Sequence, residues 1–140
     1  MAAGAQNIDV DEIARSLADG RPFEQTDQAL KISLYLPDKD ANNRPIANMT
    51  EWIDEATHVL QIACGGVTAY PAAIGKWENP VTKMTTTEST VIVYAFIFDI
   101  DRFRKELPNV TDFVHAFASE TNQGQVFLEI GTQVVKISFL

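Results

Sequence analysis

The sequence predicts an α+β fold: a ferredoxin-like two-layer sandwich, β-α-β-β-α-β plus a C-terminal hairpin strand, with an N-terminal helical extension. Two observations predict it. Two segments carry apolar residues at helical spacing, and strand-like runs with period two flank each of them. A four- or five-stranded α+β sheet of different topology is the alternative order. Residues 1–30 read as helix and linker, and residues 31–140 as one α+β domain. The 140 residues are enough for a sizeable core, and with 46% hydrophobic and 21% charged residues the chain lies in the globular range rather than the disordered one.

The first helix is signalled by Asp9 as N-cap and Glu12 three residues on, a capping box in which side chain and backbone satisfy each other's orphan donors. Ile8 and Ile13 stand at hydrophobic-staple spacing around that cap. Ile13, Ala14 and Leu17 form a thin apolar stripe, and Gly20 suits a left-handed C-cap. Residues 21–30 have no period and read as linker. Lys31 to Pro37 alternates Ile32, Leu34 and Leu36 against Ser33 and Tyr35, a strand ended by proline. After a polar loop, Asn48 or Thr50 opens a helix whose apolar face holds Trp52, Ile53, Ala56, Val59, Leu60 and Ala63, stopped by Gly65-Gly66.

Val67 to Trp77 is a strand weakened by Pro71 and Gly75, which point to an edge position or a bulge. A loop over residues 78–88 then precedes the strongest strand, STVIVYAFIFD. Asp99 or Asp101 caps the next helix, for which Pro108 predicts a kink or two parts, with Val110, Phe113, Val114 and Phe117 on one face. The end of the chain reads as two strands about Gly131-Thr132, a tight hairpin with glycine first.

The central strand does not alternate. Val91, Val93, Ala95 and Ile97 fall on one face, while Ile92, Tyr94, Phe96 and Phe98 fall on the other, so both faces want cover. A second copy of the chain, giving a sheet-face homodimer, is the favoured cover. The N-terminal segment with Phe23 and Leu30 is the second.

Charge and motifs narrow the function classes. With 11 basic and 19 acidic residues the net charge is −8, which excludes the electrostatic footprint of direct nucleic-acid binding. No apolar run reaches the roughly 18 residues a membrane span needs. The start of the chain has no secretory pattern, and one cysteine allows no internal disulfide, so a cytoplasmic protein is expected. His58 and His115 lie on the polar sides of their helices and read as surface residues. Cys64, at a helix end with no cationic neighbour in sequence, reads as structural. No phosphate-loop or dinucleotide pattern is present, and no cofactor or metal motif of fixed spacing.

The topology gathers one rim of the sheet where the first two strands end and the next two begin. Asp38, Asp40, Trp77, Glu78, Glu88, Glu120, Asn122 and Gln123 fall near it. The leading expectation is a non-enzymatic interaction or regulatory protein, of inhibitor or immunity type, whose acidic surface meets a basic protein partner. The alternative is a small metal-dependent hydrolase or small-molecule-binding protein using those rim carboxylates, or a cavity between sheet and helices lined by Trp77 and Tyr94. A third is a structural subunit docking through its first helix.

Overall fold

The computed structural model describes residues 9–25 and 30–139. Eight elements follow one another: α1 (Val10–Ala18), β1 (Lys31–Pro37), α2 (Met49–Cys64), β2 (Thr68–Glu78), β3 (Thr85–Phe96), α3 (Ile100–Glu120), β4 (Gln125–Ile130) and β5 (Gln133–Ser138). The strands form one sheet in the order β2-β3-β1-β4-β5, each antiparallel to its neighbours. The fold is α+β, and this strand order is the one a split β-α-β arrangement requires, with β5 added beyond β4.

Helices α2 and α3 cover one sheet face. Ile32, Leu34 and Leu36 of β1 and Val93 and Ala95 of β3 meet Ala56, Leu60, Val110, Phe113 and Phe117 from the helices, all of them buried. Burying side chains of this size contributes about 1.5–3 kcal/mol each. Trp52 adds edge-on contacts to Phe113 and Phe117, at 6.0 and 5.4 Å between ring centroids. Three helix ends are capped as the sequence indicates: Asp9 accepts from the Glu12 amide and Asp99 from the Arg102 amide, and Gly65 closes α2 in the left-handed region, whereas Asn48 precedes α2 without a side-chain capping bond.

Several expectations are corrected. In α1 the left-handed C-cap is Asp19, one residue before Gly20, and no residue of the helix is buried. Ile8 and residues 26–29 of the linker lie outside the described residues. Strand β3 starts at Thr85, not Ser89, because the β-branched Thr85, Thr86 and Thr87 extend the pairing with Lys76, Trp77 and Glu78. Helix α3 is one helix rather than two: Pro108 lies on its exposed side, where the lost backbone hydrogen bond is not buried, while Phe103, Val110, Phe113, Val114 and Phe117 hold the other side in the core. Both properties expected of β2 are present, since it is an edge strand and its register shifts between Tyr70 and Ala73. In the final hairpin only Gly131 has positive φ, as a turn with glycine first requires. Cys64 is half-buried and does have a cationic neighbour, Arg102; burial nonetheless dominates and pushes its thiol pKa up.

Candidate functional site

The sheet face turned away from the helices carries the site. On β3 the even-numbered residues point there: Thr86, Glu88, Thr90, Ile92 and Tyr94. Opposite them on β1 stand Tyr35 and Pro37. The β2 bulge determines what joins them. Tyr70 pairs with Ile92, but Ala73 already pairs with Thr90, so one extra residue reverses the parity of the strand. Gly75 and Trp77 therefore fall on the outer face, opposite Glu88 and Thr86. Without the bulge, Trp77 would face the helices.

Trp77 on β2 stacks on Phe127 of β4, with ring centroids 4.7 Å apart and planes at 19°. Two strands separate β2 from β4, so at about 4.8 Å per strand spacing their backbones are on the order of 14 Å apart. The rings meet because both lean inward across the face. Beneath and beside this arch is a cavity of about 380 Å³. Tyr35, Pro37, Glu88 and Thr90 line it from the central strands, Gln123 to Phe127 from the start of β4, and residues 78–82 from the β2–β3 turn. Asn79 shapes that turn, its Oδ1 accepting from the amides of Val81 and Thr82 at 2.8 and 3.1 Å.

The polar groups in the cavity are out of the ordinary for a sheet surface. Glu88 is 8% exposed. Its pKa is pushed up to about 7, first by burial and also by the nearby Asp38, while the Trp77 indole and Lys39 pull it back. Thr90 is buried, and its hydroxyl has no hydrogen-bond partner. Tyr35 donates to Glu129, and that bond with burial and the carboxylate charge pushes its pKa up to about 12. Gly75 leaves the room these groups need. A Cβ there would stand 3.0 Å from both Thr90 Oγ1 and Trp77 Nε1, and 3.4 Å from Glu88 Cγ.

Of the rim residues expected from sequence, Asp40, Trp77, Glu78, Glu88 and Gln123 do line the cavity. Their roles differ. Asp40 Oδ1 accepts from the amides of Asn42 and Arg44, and so builds its own loop. Gln123 donates to the Lys39 carbonyl at 3.1 Å and to Thr121 Oγ1 at 3.2 Å, tying the β4 end to the β1 loop. Asp38 sits beside the cavity and accepts from the Ser89 amide. Asn122 is an exposed left-handed turn residue whose carbonyl accepts from Ala41. Glu120 does not join them: it ends α3 and lines a separate groove between the helices with Trp52 and His58. Among the described residues no group of three or more His, Cys, Asp or Glu is placed to hold a metal, so the carboxylates are not the metal set the sequence allowed. The cavity is also not between sheet and helices, and Tyr94 is not part of it.

Tyr35, Gly75, Thr90 and Phe127 were missed. Strand parity identifies Thr90 as a neighbour of Glu88 on one face, but parity across the bulge, and the reach of Phe127 over two strands, need the folded chain.

Ile92, Tyr94, Phe96 and Phe98, expected as a face wanting cover, continue along the same outer face. Ile92 and Tyr94 are half-buried, Phe96 and Phe98 exposed. Tyr70 stacks on Tyr94 at 5.4 Å, and Tyr94 meets Phe96 edge-on at 5.8 Å.

No family model and no curated protein matches this chain. Two solved structures share its architecture. A phage SAM lyase in complex with S-methyl-5′-thioadenosine superposes with a TM-score of 0.61 at 13% identity, covering 84% of this chain and 95% of that one. A phage SAM lyase in the apo state gives 0.58 at 14% identity, with the same coverage. At such identity the likeness establishes the fold. It also overturns the leading functional expectation, a non-enzymatic regulator working through an acidic surface. Both of those chains are lyases of a small molecule, and here the buried Glu88, Thr90 and Gln123 line one cavity. The acidic residues do not act as one surface: among those described, Glu88 alone is withdrawn from water. No helix among the described residues is long and apolar enough to cross a membrane.

Proposed function

We propose that this chain is a lyase acting on an adenosyl sulfonium, cleaving S-adenosylmethionine between its sulfur and the amino-acid arm to release 5′-methylthioadenosine. The observation that carries this reading is a desolvated carboxylate, Glu88, under a stacked Trp77–Phe127 pair, within the architecture shared with the SAM lyases. An aromatic wall accepts a purine and the apolar flank of a sulfonium, and cations are attracted to both ring faces and carboxylates. The sulfonium leaves as a neutral thioether, taking the electron pair of the broken bond, so the leaving group needs no proton. The carbon left behind takes its electrons from the arm's own carboxylate, closing a lactone within the same molecule. What the cavity contributes is exclusion of water, which favours a step in which the sulfonium charge is lost, and the Glu88 carboxylate, which helps hold the cationic substrate there. A net charge of −8 favours approach of a cationic substrate. The single, half-buried Cys64 suits the reducing cytoplasm, where we place this activity.

The test is direct. Purified protein incubated with S-adenosylmethionine should generate 5′-methylthioadenosine, resolved by chromatography, faster than the spontaneous rate. Thioadenosine at a large excess over its Kd should raise the melting temperature, since a ligand bound only by the native state must do so. No release and no thermal shift would overturn the reading.

A second reading concerns assembly. The row Tyr70, Tyr94, Phe96 and Phe98 leaves aromatic surface open beside the cavity, and we infer that a second copy of the chain covers it. Light scattering at micromolar concentration decides this; a monomer would refute it.

A further inference from the structure

The unpartnered Thr90 hydroxyl has no role in holding the fold. A threonine at this place in the sheet could be a valine of the same shape without loss of any hydrogen bond, because its Oγ1 makes none. Its neighbour two residues back on the same strand face is Glu88, and both line the cavity. Gly75 on β2 leaves the space beside them open: a Cβ there would crowd Thr90 Oγ1 and Trp77 Nε1 at 3.0 Å and touch Glu88 Cγ at 3.4 Å. A hydroxyl that can donate or accept, beside a carboxyl that accepts, is the complement of a ligand carrying adjacent hydroxyl groups.

Resting on the adenosyl reading above, we propose that Glu88 and Thr90 together form the subsite for the ribose hydroxyls of the ligand. Glu88 accepts from one hydroxyl and Thr90 bonds the other. The base and the sulfur then lie along the Trp77–Phe127 wall. The Thr90 hydroxyl is closed off from solvent, with the Trp77 indole nitrogen beside the same point over Gly75. A ligand reaching it must shift the Trp77 ring, so binding parts the stack that bridges β2 and β4. A buried hydroxyl that stays unpaired when a ligand hydroxyl is missing gives strong discrimination, and a carboxylate that loses one charge-assisted bond adds to it.

Isothermal titration with 5′-methylthioadenosine, adenosine, 2′-deoxyadenosine and 3′-deoxyadenosine tests this. The two ribosides should bind, and each deoxy analogue should bind at least about 10-fold more weakly. Thr90→Val should bind the ribosides about 10-fold more weakly and no longer discriminate against one of the two deoxy analogues. Thr90→Ser should restore the wild-type pattern, which a purely structural role for the threonine methyl would not predict. Equal binding of ribosides and deoxy analogues to the wild type would overturn the subsite while leaving the adenosyl reading intact. Failure of all four compounds to bind would sink both.

Discussion

At one end of the outer sheet face Trp77 and Phe127 lean together over Glu88 and Thr90; at the other, Tyr70, Tyr94, Phe96 and Phe98 follow one another in an open row. Both ends are aromatic and both lie outside the helix-covered core. They differ in what the rings enclose. The first end keeps a carboxyl and a hydroxyl out of water, an arrangement that lowers stability, since neither group is fully compensated. The open row has no such cost in its rings, and its exposure counts only against solubility. Groups held at a loss mark a site for chemistry, whereas apolar surface without them marks a place to be covered.

The largest expected effect is on turnover. Glu88→Gln should lower kcat/KM for release of 5′-methylthioadenosine by about 100-fold, the loss of a charge-assisted hydrogen bond together with the carboxylate that holds the cationic substrate. Because the carboxyl titrates at about 7 in the free protein, kcat/KM for S-adenosylmethionine should rise with pH through that range and level off above it. Asp38 and Lys39 also act on this carboxyl, in opposite directions, and their salt-screened contributions should move the midpoint only slightly. A flat profile from pH 6 to 8 would remove Glu88 from the reaction.

Next comes the aromatic arch. Trp77→Ala should raise KM by roughly 10- to 30-fold, the loss of one well-placed aromatic contact, with a smaller change in kcat. Phe127→Ala should do the same more weakly. If either variant changed kcat alone, the arch would be part of the chemistry rather than the binding wall.

The opposite end of the face supplies the control. Phe96→Asp should halve the particle mass seen by light scattering while leaving turnover within about 3-fold of wild type, a difference of well under 1 kcal/mol. Loss of turnover together with the mass change, in a variant that circular dichroism shows to be folded, would break the comparison: the two ends would then be one site completed by the second copy.

The layout of the sheet was legible because its signals are local. The run Ile32, Leu34, Leu36 has period two, Asp9 and Asp99 cap as their spacing requires, and Gly65 and Gly131 sit where positive φ is needed. Strand order places Asp40, Trp77, Glu78, Glu88 and Gln123 near one rim, and in the structure all five line one cavity. What stayed hidden depends on three-dimensional parity and reach. The β2 bulge turns Trp77 outward, Phe127 arrives from a strand three places away in the sheet, and burial separates Glu88 from the other described acidic residues, which look alike in the sequence. Glu120 was grouped with them because it stands beside Asn122 and Gln123 in the chain, yet the end of a helix carries it to the other layer.

An effect on stability, not turnover, separates function from folding. The carboxyl of Glu88 has a folded pKa of about 7, raised above the ordinary value of 4.5 by burial. Between those values the native state holds a proton that the unfolded chain has released, so stability falls as pH rises across that window, and the full penalty persists above it. An amide in its place does not titrate. Glu88→Gln should therefore melt at the wild-type temperature near pH 4.5 and several degrees higher at pH 8, a gain on the order of 2–3 kcal/mol at most. The same substitution that removes turnover would then strengthen the fold, as expected where a residue is kept against its own stability. Equal melting temperatures at both pH values would mean that the carboxylate is solvated after all, and the contrast between the two ends of the face would lose its physical basis.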